Sequence, residues 1–140
     1  MIFVEKVIQD IWILNNAGAV LYHRVFDKKV DEQLFGALMS ALNLLAEELE
    51  KEGLSNFELK DKKYILTKHH GILFIVNSSK KTKEKKVNEE LKSIVGKFFT
   101  LYPKEMFNNW DNDVSIFADF ENHIKDSLQD TIDKFEKAFW

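Results

Sequence analysis

Three short stretches hold the residue types that do chemistry in proteins. Lys68-His69-His70-Gly71 sets two imidazoles side by side, and imidazole is the commonest metal ligand. Asn108-Asn109-Trp110-Asp111-Asn112-Asp113-Val114 is rich in oxygen donors, as calcium loops are. Ser78 to Lys86, "SSKKTKEKK", carries five lysines within residues 80–86, a charge density suited to anions.

Spacing weakens each of these. Neighbouring residues on a strand point to opposite faces, so His69 and His70 cannot share an ion there, and no third or fourth ligand is near in sequence. The pair reads better as a turn at a strand end. In a calcium-loop register from Asn109, the sixth position should be Gly and the twelfth Glu. They are Val114 and Phe120. That stretch reads instead as a polar loop, anchored by Trp110 and ending in a helix cap at Asp113. The lysine run lacks the glycines of a phosphate loop. It reads as a solvated loop, or as a contact for an anionic surface through Lys80, Lys81, Lys83, Lys85 and Lys86. No nucleophile motif or His-Glu zinc signature occurs, so no catalytic residue, metal site or cofactor is expected.

Composition bounds the rest. The 140 residues fit one domain, 1–140, and apolar residues make up 45%, with twelve Phe to build a core. There is no Cys, which excludes disulfides and thiolate chemistry. No apolar run reaches membrane-spanning length, and the N-terminal "MIFVEKVIQD" has acids too early for a secretory signal. A soluble, cytoplasmic protein is the expectation, peripheral at membranes if the lysines touch them. Residues 1–58 hold five basic and ten acidic groups, residues 59–105 twelve and five, and residues 106–140 three and eight. The positive charge is therefore concentrated in the middle of the chain. Arg24 is the only arginine, and nucleic-acid readers lean on Arg, so nucleic acid is not expected as a partner.

The elements that must position these residues follow from periodicity. "IWILNNAGAVLYHR" is two apolar runs around Asn15-Asn16-Ala17-Gly18, a β-hairpin over residues 7–26. Its first arm, mostly apolar, reads as an inner strand and its second as an edge. Residues 31–52 form a helix capped by Asp31, with Leu34, Leu38, Ala41, Leu42, Leu45 and Leu49 on one stripe and Ser40, Asn43, Glu47, Glu50 and Lys51 opposite. Residues 54–77 read as three strands, the last of them central. Helices follow at 80–102 and 114–139, with Phe117, Phe120, Ile124, Leu128, Ile132, Phe135 and Phe139 in steps of three or four. The order β-β-α-β-β-β-α-α predicts an α+β fold of three layers. Its five-stranded antiparallel sheet carries one helix on one face and two on the other.

That order, with "IWILNNAGAVLYHR", "LFGALMSALNLLAEEL", "FELKDKKYILTKHHGILFIVN" and "VSIFADFENHI", resembles the longin-like fold of archaeal longin-domain proteins. These are similar to longin domains of eukaryotic trafficking proteins and to small adaptin chains. The resemblance implies a non-enzymatic protein-binding module in a small-GTPase-linked or membrane-trafficking complex. Its partners would be a small GTPase, a sister longin or roadblock domain, or a second copy in a homodimer. Profilin-like sensors such as PAS domains share the style of "NAGAVLYHR"; that alternative needs a small-molecule cavity between sheet and helix.

Two surfaces suit a partner on sequence grounds. If the leucine stripe of the first long helix is buried, Gly36 and Ser40 face outward as a shallow groove rimmed by Phe35 and Met39. A helix over 114–139 also outruns a five-stranded sheet. Phe135, Phe139 and Trp140 then overhang as exposed aromatics that a second chain would cover.

Overall fold

The computed structural model describes residues 7–25, 31–51 and 55–125. The elements come in the predicted order: β1 (Ile11–Leu14), β2 (Val20–Arg24), α1 (Glu32–Leu49), β3 (Asn56–Glu58), β4 (Lys62–His69), β5 (Ile72–Ser79) and α2 (Glu84–Leu101). Two 3₁₀ segments, Lys104–Asn108 and Val114–Phe120, lead into the short α3 (Glu121–Ile124). The strands form one antiparallel sheet in the order β2-β1-β5-β4-β3.

The sheet follows the apolar pattern. All four residues of β1 are buried, as an inner strand requires, and β5 lies at the centre. β2 is an edge and turns polar at His23 and Arg24. The first hairpin is tied by Asn15, whose amide donates to the Ala19 carbonyl at 2.9 Å. Its side-chain oxygen accepts from the amides of Ala17 and Ala19, also at 2.9 Å. Gly18 takes φ +86°, a conformation open to glycine. β4 and β5 are joined through His70 and Gly71, both at positive φ, which matches the right-handed twist of the strands.

One face of the sheet packs on α2, the second 3₁₀ segment and α3. Val87, Leu91, Ile94, Val95 and Phe98 of α2 are all buried, as their helical spacing predicts. Phe98 is the hub: its ring lies 5.3 Å from Phe74, 5.7 Å from Phe117 and 5.4 Å from Phe120. These four rings are fully buried and fill the centre of the layer between sheet and helices; an open cleft remains nearer the β3 edge, between β4 and α2. The other face carries α1 over Trp12, Leu14, Val20, Tyr64, Leu66, Leu73 and Ile75. At the far end of the sheet Asp10 and Asn77 form a buried clamp. The Asp10 amide donates to the Asn77 side-chain oxygen, and the Asn77 side-chain amide donates to the Asp10 carboxylate, both at 2.9 Å.

Three sequence expectations are corrected. α2 begins at Glu84, so Lys80 and Lys81 lie in the turn before it. The predicted helix from 114 opens as 3₁₀, because three residues per turn put Phe117 and Phe120 on one side, where both are buried. The rest of that helix beyond Lys125, with Phe135, Phe139 and Trp140, lies outside the described residues. The third correction concerns which face of α1 meets the sheet.

Candidate interaction surface

α1 lies the opposite way round from its leucine stripe. Asp31 caps it as predicted, accepting from the amides of Gln33 and Leu34 at 3.0 and 3.1 Å. Its buried residues, however, are Gly36, Met39 and Asn43. Leu34 is 64% exposed, Leu38 54%, Leu42 39%, Leu45 61% and Leu49 78%. The reason is volume. Where α1 crosses the first hairpin it must present small residues, Gly36 and Ser40, while Phe35 and Met39 reach the sheet on either side. A Cβ on Gly36 would stand 2.9 Å from the Gly18 carbonyl oxygen and 2.9 Å from Val20 Cγ2. Gly36 thus lets the helix axis sit on the first hairpin. Ser40 packs against Gly18, where an added Cβ would meet Ser40 Cβ at 3.1 Å.

The predicted groove of Phe35, Gly36, Met39 and Ser40 is therefore filled by the chain's own hairpin and sheet. Phe35 stacks on Trp12 with ring centroids 4.2 Å apart, and Met39 is buried in the same cluster. Polar contacts fix the helix at both ends. His23 faces Glu32 at 3.7 Å, and Lys68 on β4 donates to Glu47 at 3.0 Å. The Lys68 hydrogen bond is the main cause that holds the Glu47 carboxyl below its ordinary value.

What remains outward is an apolar face of leucines along α1. Sequence reasoning located the stripe but assigned it to the core. The signal that would have placed it was the second stripe, Gly36, Ser40 and Asn43 at spacings of four and three, small enough to fit a sheet lined by Trp12 and Tyr64. Scattered exposed leucines are ordinary; these lie together as one row along one helix.

The lysine run forms the basic end of the sheet with the β3–β4 turn. The Lys80 amide donates to the Asp61 carbonyl at 3.4 Å, joining the two loops. Several charges are spent internally: Lys63 reaches Glu84 at 2.6 Å, Lys80 reaches Glu58 at 3.2 Å and Lys62 reaches Asp10 at 3.5 Å. Lys81, Lys83 and Lys85 remain exposed, and Lys86 is exposed as well.

The other candidate chemistry resolves into structure. His69 hydrogen-bonds Thr67 at 2.9 Å, and His70 sets its ring edge-on to Phe99 at 5.1 Å. Asp113 caps the second 3₁₀ segment, accepting from the Ser115 amide at 3.0 Å and its hydroxyl at 2.7 Å. These bonds lower the Asp113 carboxyl from its ordinary value. Trp110 packs on the core and donates to the Asp113 carbonyl at 3.3 Å. Among the described residues no group of three or more His, Asp or Glu converges as a metal site would require.

Known proteins with this arrangement fall in two sets. A roadblock/LC7 domain from Streptomyces avermitilis superposes with a TM-score of 0.56 at 17% identity, over 67% of this chain and 84% of its own. Myxococcus xanthus MglB superposes with a TM-score of 0.52 at 14% identity, over 66% of this chain and 84% of its own. At such identities these two establish the fold. No curated protein matches the sequence. The profile described as the first longin domain of FUZ, MON1 and HPS1 matches residues 9–135, nearly the whole chain, and the chain belongs to that longin family.

Proposed function

We propose that this longin domain is a non-enzymatic interaction module, and that it enters a small-GTPase-linked or trafficking-type complex through the outward face of α1. The observation that carries the reading is the row Leu34, Leu38, Leu42, Leu45 and Leu49, left in water although the domain has ample core to bury such residues. Family membership supports it, since longin domains are protein-binding modules. The buried rings around Phe98 support it over a sensor with a cavity at the centre of the sheet–helix layer.

The basic end supplies a second, weaker contact. Lys81, Lys83 and Lys85, flanked by Lys80 and Lys86, present charge to an acidic partner surface or anionic headgroups. Among the described residues no helix is long and apolar enough to cross a membrane, so a membrane contact made by this part of the chain would be a surface one.

The test is a comparison of captured partners. Wild-type protein and a Leu38→Ser/Leu45→Ser variant of equal thermal stability are used as bait in lysate from the source organism. The reading predicts that specific partners captured by the wild type are lost from the variant. Identical partner sets on both would contradict it.

A further inference from the structure

We propose that the cleft between β4 and α2 binds a medium-chain aliphatic carboxylate, with its tail on Ile65, Leu91 and Val95 and its head between Asn88 and Lys92. The cleft lies on the opposite side of the sheet from α1, so this site is independent of the interaction surface there.

The cleft exists because β3 is short. Its three residues pair with β4 only from Lys63 to Ile65, while β4 runs on to His69. α2 closes the other side, with Leu91 and Val95 packed in the same cluster as Ile65. The space left between strand and helix measures about 440 Å³. Small-ligand sites occupy roughly 300–1,000 Å³. Alternation along β4 turns Ile65, Thr67 and His69 to this side and Leu66 away, into the cluster beneath α1. The floor of buried Ile65, Leu91 and Val95 is therefore apolar.

The polar groups around that floor select the ligand, because most of them are already satisfied. The Leu66 amide donates to the Ser55 carbonyl at 2.9 Å, so it is not open to an added strand. Thr67 and His69 bond each other at 2.9 Å, and the Asn56 side-chain amide donates to the Ser55 hydroxyl at 3.0 Å. The Glu84 carboxylate is held by Lys63 at 2.6 Å. Asn88 and Lys92 differ. Both line the cleft from its exposed rim, and among the described residues neither side chain has a hydrogen-bond or ion partner. Four residues apart on α2, they stand side by side, an amide and an ammonium that can donate to one carboxylate.

A fitting ligand must bring apolar surface, one negative head and few other polar groups. A peptide carries a polar pair at every residue, which this wall does not meet. A nucleotide carries more negative charge than one lysine answers. A simple aliphatic acid meets each requirement. From Asn88 to Val95 the cleft follows about 10 Å of helix, which suits a medium chain rather than a long one. The cleft is open to water on one side. If about half of each methylene is covered, binding tightens about twofold per methylene.

Methyl NMR of the full chain, labelled at Ile, Leu and Val, tests this with hexanoate, octanoate and decanoate below their micelle concentrations. The methyls of Ile65, Leu91 and Val95 should shift saturably, and affinity should rise about fourfold for each step of two methylenes. Lys92→Met should weaken octanoate by up to about fivefold, the scale of an exposed ion pair, and leave octanol binding unchanged. Thr67→Phe should fill the cleft and abolish the shifts with an unchanged circular dichroism spectrum; Asn88→Phe, at the exposed rim, serves if that variant loses its fold. Shifts that never saturate, or that saturate only at the leucines of α1, would overturn the site. Undiminished octanoate binding by the filled variant would overturn it as well. Equal octanoate affinity in wild type and Lys92→Met would overturn the carboxylate as the head group.

Discussion

At the scale of the residue, two glycines make opposite predictions. Gly36 sits under the first hairpin with backbone and side-chain atoms 2.9 Å from where a Cβ would be. Gly36→Ala should destabilise the domain by about 1–3 kcal/mol through overpacking, read from a urea midpoint at low protein concentration. Gly96 lies inside α2 with nothing within 4 Å of its Cβ position. Gly96→Ala should stabilise by about 0.5–1 kcal/mol, because helix propensity acts there without a clash. Sequence alone reads Gly36 the other way, as an open groove, since it shows that the residue is small but not what approaches it. Tyr22 carries a second residue-scale prediction. Its hydroxyl is buried without a partner among the described residues, and its ring packs edge-on to Phe120 at 5.5 Å. Burial, and then the nearby Glu121 carboxylate, push its pKa from 10.0 up to about 12, against a smaller opposing effect of Arg24. The fold therefore holds this proton more tightly than the unfolded chain does. The resulting stability is complete below pH 10 and is lost as pH rises through about 12. Tyr22→Phe should remove that share of alkaline unfolding. At neutral pH it should match or slightly exceed wild type in a thermal melt, because an unsatisfied hydroxyl is gone.

At the scale of the element, the strands were legible and one helix was not. β1, β2 and β5 announce themselves because burial on both faces, or on one, leaves a pattern of period one or two that has a single physical solution. α2 was legible because its polar face is charged, so only one stripe fits a core. α1 has two candidate stripes, one of leucine and one of small residues, and hydrophobicity alone picks the leucine. What decides is the volume left by Trp12, Tyr64 and the first hairpin, which no local pattern reports. The Asp10–Asn77 clamp was equally silent, since it joins residues 67 positions apart. Asn77 is fully buried, and Asn77→Ala removes both side-chain bonds of the clamp. It should cost about 2–3 kcal/mol in a urea titration, with Asn77→Ser recovering part of the loss. The basic end makes a gentler prediction. Replacing Lys81, Lys83 and Lys85 by Gln should leave the melting temperature unchanged and weaken retention on anionic vesicles. Added salt should weaken the wild type in the same way, because exposed charges are screened over about 8 Å at physiological ionic strength. Retention that ignores both changes would remove this contact from the account.

At the scale of the molecule, among the described residues the sheet has one face sealed by α2 and the aromatic rings around Phe98, and the other covered by α1, which keeps leucine outward. On the proposed reading, that asymmetry is what lets the domain fold and then dock. Its most direct measurement is hydroxyl-radical footprinting of the dilute protein, read at single side chains by mass spectrometry. Methionine oxidises far more readily than leucine, so the intrinsic order favours Met39. The account predicts the reverse protection: Met39 shielded beneath α1, and Leu34, Leu38, Leu45 and Leu49 modified at rates near those of exposed leucine. Rapid oxidation of Met39 with all four leucines protected in the dilute protein would contradict it.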